Sequence, residues 1–315
     1  MFLKRKQVNE RELTQKIEEI RDDFYKKCFQ DILKQDFKRK VALIAYVASI
    51  SLCILFFLSF DIVLNVFSSG FEIYFWIFIL LIIWVSILFW LKNPIEYTIQ
   101  QRILSIFTRC LNNIEFKDSP YEYSLIRKTK MFYEGTDREI SLFRDKSNHI
   151  EILMANIKYA VNRIKAHFYI TLFQGIILKI NTNTVSNCDL VIKKIYLKSE
   201  HVKDMKKLPS NDSLFYSQYE IYTDNVELAE KIITPEITDF LYNYYFEKTK
   251  LSSITLNKGE KDIVVTINFL LNYNIFDKSL LCSYANFERY EELYKSIVEL
   301  QDLSAKLKEF FLCKE

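Results

Sequence analysis

Two runs without a single charged residue constrain this chain more than anything else in it. Val41–Phe60 reads VALIAYVASISLCILFFLSF, and Ile73–Leu91 reads IYFWIFILLIIWVSILFWL. Each matches the roughly 20 residues that cross a hydrocarbon core of about 30 Å. Lipid offers the backbone no hydrogen-bond partner, so a run of this kind satisfies its own amides and carbonyls as a helix. Tyr74, Trp76 and Trp90 stand near the ends of the second run, where aromatic rings settle at a membrane interface. The expectation is a two-helix transmembrane hairpin. A buried hairpin of a soluble protein is the competing reading, and two charge-free runs of this length argue against it. A cleaved signal peptide fits poorly, because a long charged segment precedes the first run.

The basic residues orient the hairpin. Lys34, Lys38, Arg39 and Lys40 precede the first run, and Lys92, Arg102 and Arg109 follow the second. The connection Asp61–Glu72 has acids but no Lys or Arg. Positive charge stays on the cytoplasmic side, so both termini belong there and only a short loop lies outside. Lys38, Arg39 and Lys40 form a basic patch that suits anionic lipid, at about 1 kcal/mol per basic residue. A topology determinant alone is the plainer reading of the same patch. The expected organisation is then a cytoplasmic amphipathic helix over 1–40, spans over 41–60 and 73–91 joined by an external loop 61–72, a juxtamembrane helix over 92–119, and a cytoplasmic domain over 120–315.

Leu13, Ile17, Ile20 and Phe24 recur at helical spacing within the first segment, leaving charge on the other faces. Such a stripe needs a partner. Ile95, Ile99, Ile103 and Phe107, at steps of four, offer one in the helix after the second run. Self-association through a short coiled coil is the alternative, although the stripe is too short for sustained heptads.

Beyond residue 120 the pattern shifts to short apolar or alternating segments: 150–157, 168–180, 190–196, 219–223, 254–256 and 263–269. Turn-forming clusters separate several of them, including Asn181–Asn183 and Lys258-Gly259-Glu260. Consecutive strands without regular intervening helices predict an antiparallel sheet. Helices are expected at about 225–248 and 284–312 from their 3.6-residue periodicity. The fold class is therefore α+β: an N-terminal helix and hairpin, then an antiparallel sheet with packed C-terminal helices. Two helix starts are legible as well. Asp224-Asn225-Val226-Glu227 resembles a capping box with Asp224 as the cap, and Pro235 follows Thr234 as a first helical residue.

Chemistry is harder to find. The three histidines, His149, His167 and His201, stand in no metal-ligand spacing with one another or with cysteine. The four glycines, Gly70, Gly135, Gly175 and Gly259, are too scattered for a phosphate-cradling loop. No nucleophile elbow exists, and no cysteine sits in a nucleophile context. The six cysteines form no CxxC pair and read as reduced, packed thiols. No catalytic, cofactor or metal residue is nominated. A net charge of +3 is too small for a nucleic-acid footprint, so none is expected. Tyrosines and lysines interleave over Tyr242–Lys250, but an amphipathic helix explains that pattern more simply than a stacking surface does.

Three stretches carry a family resemblance. They are His167-Phe168-Tyr169-Ile170-Thr171-Leu172-Phe173-Gln174-Gly175-Ile176-Ile177, then Tyr219 through Asp224 to Ile233-Thr234-Pro235-Glu236-Ile237, and Phe276-Asp277-Lys278-Ser279-Leu280. They resemble the bacterial family catalogued as domain of unknown function 3137, across roughly residues 120–312. Lys278 stands where that family usually has proline. The resemblance implies a bacterial inner-membrane protein and brings no established activity or catalytic residue with it.

Two functions fit these readings. The first is a membrane-tethered, non-catalytic binding or scaffold protein whose partners are the lipid bilayer and a protein, or a second copy met through the N-terminal helix. The second is a membrane-associated, hydrolase-like enzyme working through carboxylates. A transporter or channel subunit fits least, because neither run carries the intramembrane charge that marks an ion pathway.

Overall fold

A computed structural model describes residues 2–66, 79–80, 82–84, 86, 98–99, 101–111, 113–117, 123–131, 137–163, 166–197, 202–210, 213–248, 251–268 and 284–312. The chain divides into two compact units: Met1–Leu111 with Ile275–Glu292, and Asn112–Asn274 with Leu293–Glu315. Among the described residues of the C-terminal segment, 284–292 group with the N-terminal helices and 293–312 with the sheet.

The first unit is helical. Its apolar stripe produces α1 (Phe2–Asp23), a single π turn (Phe24–Cys28) and α2 (Phe29–Val66). A π turn inserts one residue into the helical repeat, and here both Phe24 and Cys28 are buried within it. Helix α3 covers residues 101–107 and ends in the 3-10 turn Thr108–Cys110. The expected pairing of stripes is present: Ile17, Phe24, Ile99, Ile103 and Phe107 are buried, and the rings of Phe24 and Phe107 lie 6.4 Å apart. A third contributor was not foreseen. Phe287 and Tyr290 bring their ring centres to 5.2 and 4.9 Å from Phe24. Cys28 and Cys110 are joined as a disulfide across 82 residues, contrary to the expectation of reduced thiols, whereas Cys188 is a free buried thiol. Spacing rules see only cysteines close in sequence, and these two sit on different helices.

Helix α2 differs from expectation at its far end. It continues through Asp61 to Val66, where the external loop was expected to begin. Among the described residues no helix is long and apolar enough to cross a membrane. Two facts limit the expected spans. The described side chains of the first run stop at Leu55, and the second run is described only at 79–80, 82–84 and 86. The expected two-span hairpin is therefore not shown among the described residues. The rest of the loop and of the second run, His201, Cys313 and the Phe276–Leu280 motif lie outside the described residues.

The second unit is built on antiparallel pairs throughout, as the strand spacing predicts. Its strands are β1 (Ile114–Lys117), β2 (Asp137–Asp145), β3 (Ile150–Arg163), β4 (Ala166–Asn181), β5 (Leu190–Lys194), β6 (Lys206–Lys207), β7 (Tyr219–Thr223), β8 (Leu251–Leu256) and β9 (Asp262–Asn268). Among the described residues they form one sheet in the order β1-β2-β3-β4-β9-β8-β5-β7-β6. Helix α4 (Tyr123–Lys128) lies against the face carrying Leu142, Leu153, Ile157, Phe173, Ile177 and Val264. The opposite face is also covered at its centre, where Ile176, Leu178, Val265 and Ile267 are buried. Burial on both sides explains why these strands read as nearly continuous apolar runs. Within this core Ser253 and Thr266 share a 2.6 Å bond and Thr255 donates to the Thr129 carbonyl at 3.0 Å.

Three helices complete the fold: α5 (Val226–Ile232), α6 (Pro235–Lys248) and α7 (Glu288–Leu312). Within the second unit, α7 reaches the β2–β3 turn through Gln301, which donates to Asp145 at 2.6 Å, and meets α6 where Phe310 packs on Phe240.

Candidate functional site

A cavity of about 330 Å³ opens between the loop after β4, the turn before β9, helix α5 and the last turn of α7. Its position follows from two local structures. Gly259 adopts φ +79°, a left-handed conformation that glycine accepts freely, and closes the turn in which the Glu260 amide donates to the Asn257 carbonyl at 3.0 Å. The polar loop Thr182–Cys188 is then clamped along this turn. The amides of Thr182, Ser186 and Gly259 donate to the carbonyls of Lys261, Glu260 and Ser186 at 2.7, 2.9 and 2.9 Å. Leu228, Ile232, Leu256, Ile263 and Phe311 supply apolar lining.

Asp262, Glu260 and Lys231 are the charged residues of the lining. Asp262 is 95% buried, and its Oδ2 accepts from Lys128 Nζ at 2.8 Å. The same ammonium donates to Glu260 Oε2 at 2.9 Å. Burial pulls the Lys128 pKa down, but Asp262 and Glu260 outweigh it and hold that pKa above the ordinary lysine value. Asp262 Oδ1 has no hydrogen-bond partner among the described residues. The hydroxyls nearby have already spent their protons: Thr182 Oγ1 donates to the Thr184 carbonyl at 2.9 Å, and Ser186 Oγ to the Cys188 carbonyl at 2.7 Å.

A second charge network borders the loop. Asp189 Oδ1 accepts from Lys130 Nζ at 2.6 Å and from the Lys258 amide at 3.0 Å. Burial raises the Asp189 carboxyl, yet Lys130 and the Lys258 amide prevail and hold it below the usual carboxylate range. Asp224 accepts from the Asp189 amide at 2.8 Å and from Lys258 Nζ at 3.2 Å. The expectation that Asp224 caps α5 is therefore corrected. Asn225 is the cap, accepting from the Leu228 amide at 3.2 Å, and Asp224 ties two loops together. Pro235 does open α6, as expected. Cys188 lines the cavity, and burial, with Asp224 and Asp189 nearby, pushes its thiol up, which keeps it a poor nucleophile.

Other residues singled out in the sequence fall elsewhere. His149 is exposed in the β2–β3 turn and His167 lies in β4. No three potential ligands are grouped to hold a metal among the described residues. Of the basic patch, Arg39 is buried and pairs with buried Asp36 at 2.8 Å, while Lys38 and Lys40 are exposed. Burial raises Asp36, but Arg39 and the Tyr284 amide hold its carboxyl below the ordinary range. The cavity itself was missed. The only signals were the Asn-Thr-Asn-Thr loop and Lys258-Gly259-Glu260, and both read as turns.

No family model and no curated protein matches the chain. Among solved structures, the mycobacterial trehalose monomycolate transport factor A is similar at 9% sequence identity and a TM-score of 0.34, covering 57% of this chain and 86% of that one. A likeness of that size carries no argument about this chain.

Proposed function

We propose that this chain is a membrane-tethered binding protein that presents its sheet unit at the cytoplasmic face of a bacterial inner membrane. The observation that carries this reading is the surface of α2. Ile44, Val47, Leu52 and Leu55 are each 53–67% exposed in a run without charge. Soluble proteins rarely leave a contiguous apolar surface of that kind to water. Leu80, Ile82, Ile83 and Trp84 of the second run are similarly exposed, and Trp84 Nε1 donates to Ser49 Oγ at 3.3 Å, consistent with two antiparallel spans. Ser49 and Ser86 return their hydroxyls to the Ala45 and Ile82 carbonyls, so neither hydroxyl proton in the apolar runs is left without an acceptor. The resemblance to domain of unknown function 3137 supports the same placement, and kinship with that family is part of the proposal. Exposed Lys38 and Lys40 are the residues offered to anionic lipid.

Two carboxylates of the sheet unit are committed to ion pairs and not to acid–base work. Burial raises Glu151 and Glu220, but Lys179 and Arg144 beside the first, and Lys193 and Lys207 beside the second, hold both below the ordinary range. Ion-paired carboxylates of that kind are weak proton donors at neutral pH.

Alkaline carbonate extraction of cell membranes tests the tether. The wild type stays in the pellet, and a variant carrying Ile44→Asp and Leu55→Asp moves to the soluble fraction with its sheet unit still folded. Extraction of the wild type by carbonate defeats the proposal. A Ser68→Cys variant labels from outside intact cells if the orientation is right.

A further inference from the structure

We propose that Cys28 and Cys110 form a redox-sensitive clasp at the base of the apolar hairpin, closed as a disulfide and opened by a low-molecular-weight thiol of the glutathione class. The inference rests on the cytoplasmic placement proposed above, because that compartment keeps ordinary thiols reduced and a disulfide there is transient or redox-sensing. The two cysteines stand 82 residues apart and bracket both charge-free runs. Two crossings return the chain to the side it started from, so one bond fastens the two ends of the hairpin to each other. Cys28 sits in the π turn between α1 and α2, and Cys110 in the 3-10 turn that ends α3. Turns of these two kinds mark functional sites and hinges in helical structures. The clasp also holds the exit from the helical unit, since the chain leaves that unit after Leu111, the residue following Cys110.

The fold accommodates both redox forms. Closed, the pair is buried beside Phe24, Ile103 and Phe107. Opened, Cys28 Sγ has the Ile106 carbonyl at 3.2 Å to take its thiol proton. An ion pair of Arg109 with Asp31 joins the same two segments at 3.6 Å, but both side chains are exposed and such a pair contributes little. The bond is therefore the strong tie between the π turn and the 3-10 turn. Its opening is a two-step exchange. One thiolate attacks a sulfur of the pair, forming a mixed disulfide and releasing the other cysteine as a thiolate. A second thiolate displaces the first, and both cysteines take up protons. Two small thiols thus become one small disulfide, and their two electrons reduce Cys28 and Cys110. Burial of both sulfurs means that a turn must open before the first attack, so exchange is slower than at an exposed disulfide.

The test equilibrates the purified full chain in detergent with mixtures of reduced and oxidised glutathione, quenches with acid, and maps maleimide-labelled cysteines by peptide mass spectrometry. Cys28 and Cys110 are expected to become labelled together and reversibly, within the range of ratios that cytoplasm holds. Hydrogen exchange supplies the structural readout. The Leu111 amide donates to the Thr108 carbonyl at 3.1 Å, and its exchange should quicken at least about tenfold when the pair opens. Cys110→Ser should show the quick exchange at every ratio, and Cys188→Ser should keep the wild-type transition. A pair that stays closed in the most reducing mixture is a fixed staple and overturns the proposal. So does a pair that never closes, or an opening that leaves Leu111 exchange unchanged. The same labelling in acid-quenched cells separates the two readings. A pair that titrates reversibly when purified but is wholly oxidised in cells overturns the cytoplasmic placement, and with it the opening of the clasp in the cell.

Discussion

Among the described residues, the helical unit is held by rings and concentrates its buried charge in one pair, Asp36 with Arg39. The sheet unit distributes charge: Lys128, Lys130, Lys179 and Lys193 each hold a carboxylate, and Lys193 is itself buried. Helices that meet along apolar stripes can leave their charges on the far side. A wide sheet buried on both faces has no such side, so charges near its strands survive only when paired. The two units should accordingly fail in different ways when a single residue is removed.

The largest effect is expected at Phe24, which is fully buried and touches Phe107, Phe287 and Tyr290. Phe24→Ala should destabilise the helical unit by about 4 kcal/mol, the usual cost of an aromatic-sized cavity. Hydrogen exchange should then accelerate in α1 and α3 and remain slow in β9. Equal acceleration in β9 would show that the two units unfold as one.

Next comes Glu220, whose two oxygens hold Lys193 and Lys207, each at 2.8 Å. Glu220→Ala leaves the buried Lys193 ammonium without its carboxylate, and breaking such a pair costs about 3 kcal/mol. Thermal denaturation of the sheet unit reads the loss, and a change below about 0.5 kcal/mol would mean the pair is no better than a surface one.

Acid probes the same pair more gently. Burial raises the Glu220 carboxyl, but Lys193, Lys207 and Tyr222 bring it down to about 2 from an ordinary 4.5. A depressed folded-state pKa gives stability that is fully present above about 4.5 and is lost as pH falls toward about 2. The expected loss is about 2 kcal/mol once screening around half-exposed Lys207 is allowed for. Glu220→Gln should flatten this part of the profile, and a wild-type curve already flat from pH 5 to 2 would contradict the assignment.

The smallest effect separates two neighbours. Asn225→Ala should cost about 1 kcal/mol through loss of the α5 cap. Asp224→Ala should leave that helix start intact and instead loosen the loop that Asp224 ties through the Asp189 amide and Lys258. Exchange of the Leu228 amide distinguishes them, because it should rise in the first variant and not in the second.

Legibility in the sequence followed the same division. The six expected strands are all present, though most shift by a few residues at their ends; β4 runs Ala166–Asn181 against the expected 168–180. β2 was missed because DREISLFRD carries five charges in nine residues, and its pairing with β3, not its hydrophobicity, makes it a strand. The capping error at Asp224 arose from a tie that local pattern cannot break. Asp224 and Asn225 are both good caps, and only the position of Asp189, 35 residues away in sequence, decides between them.

Periodicity and charge act over one or two turns of chain, so the sequence alone determined the α+β class, the antiparallel pairing, the apolar stripes and the two charge-free runs. Contacts between distant segments obey no such local rule. Only the tertiary structure brought Phe287 and Tyr290 to Phe24, joined Cys28 to Cys110, and made one chamber of Thr182, Ser186 and Asp262. Asp262 shows the physical reason most plainly: in sequence it is a polar residue opening a strand, and it becomes a buried acceptor only when a loop some eighty residues earlier folds over it.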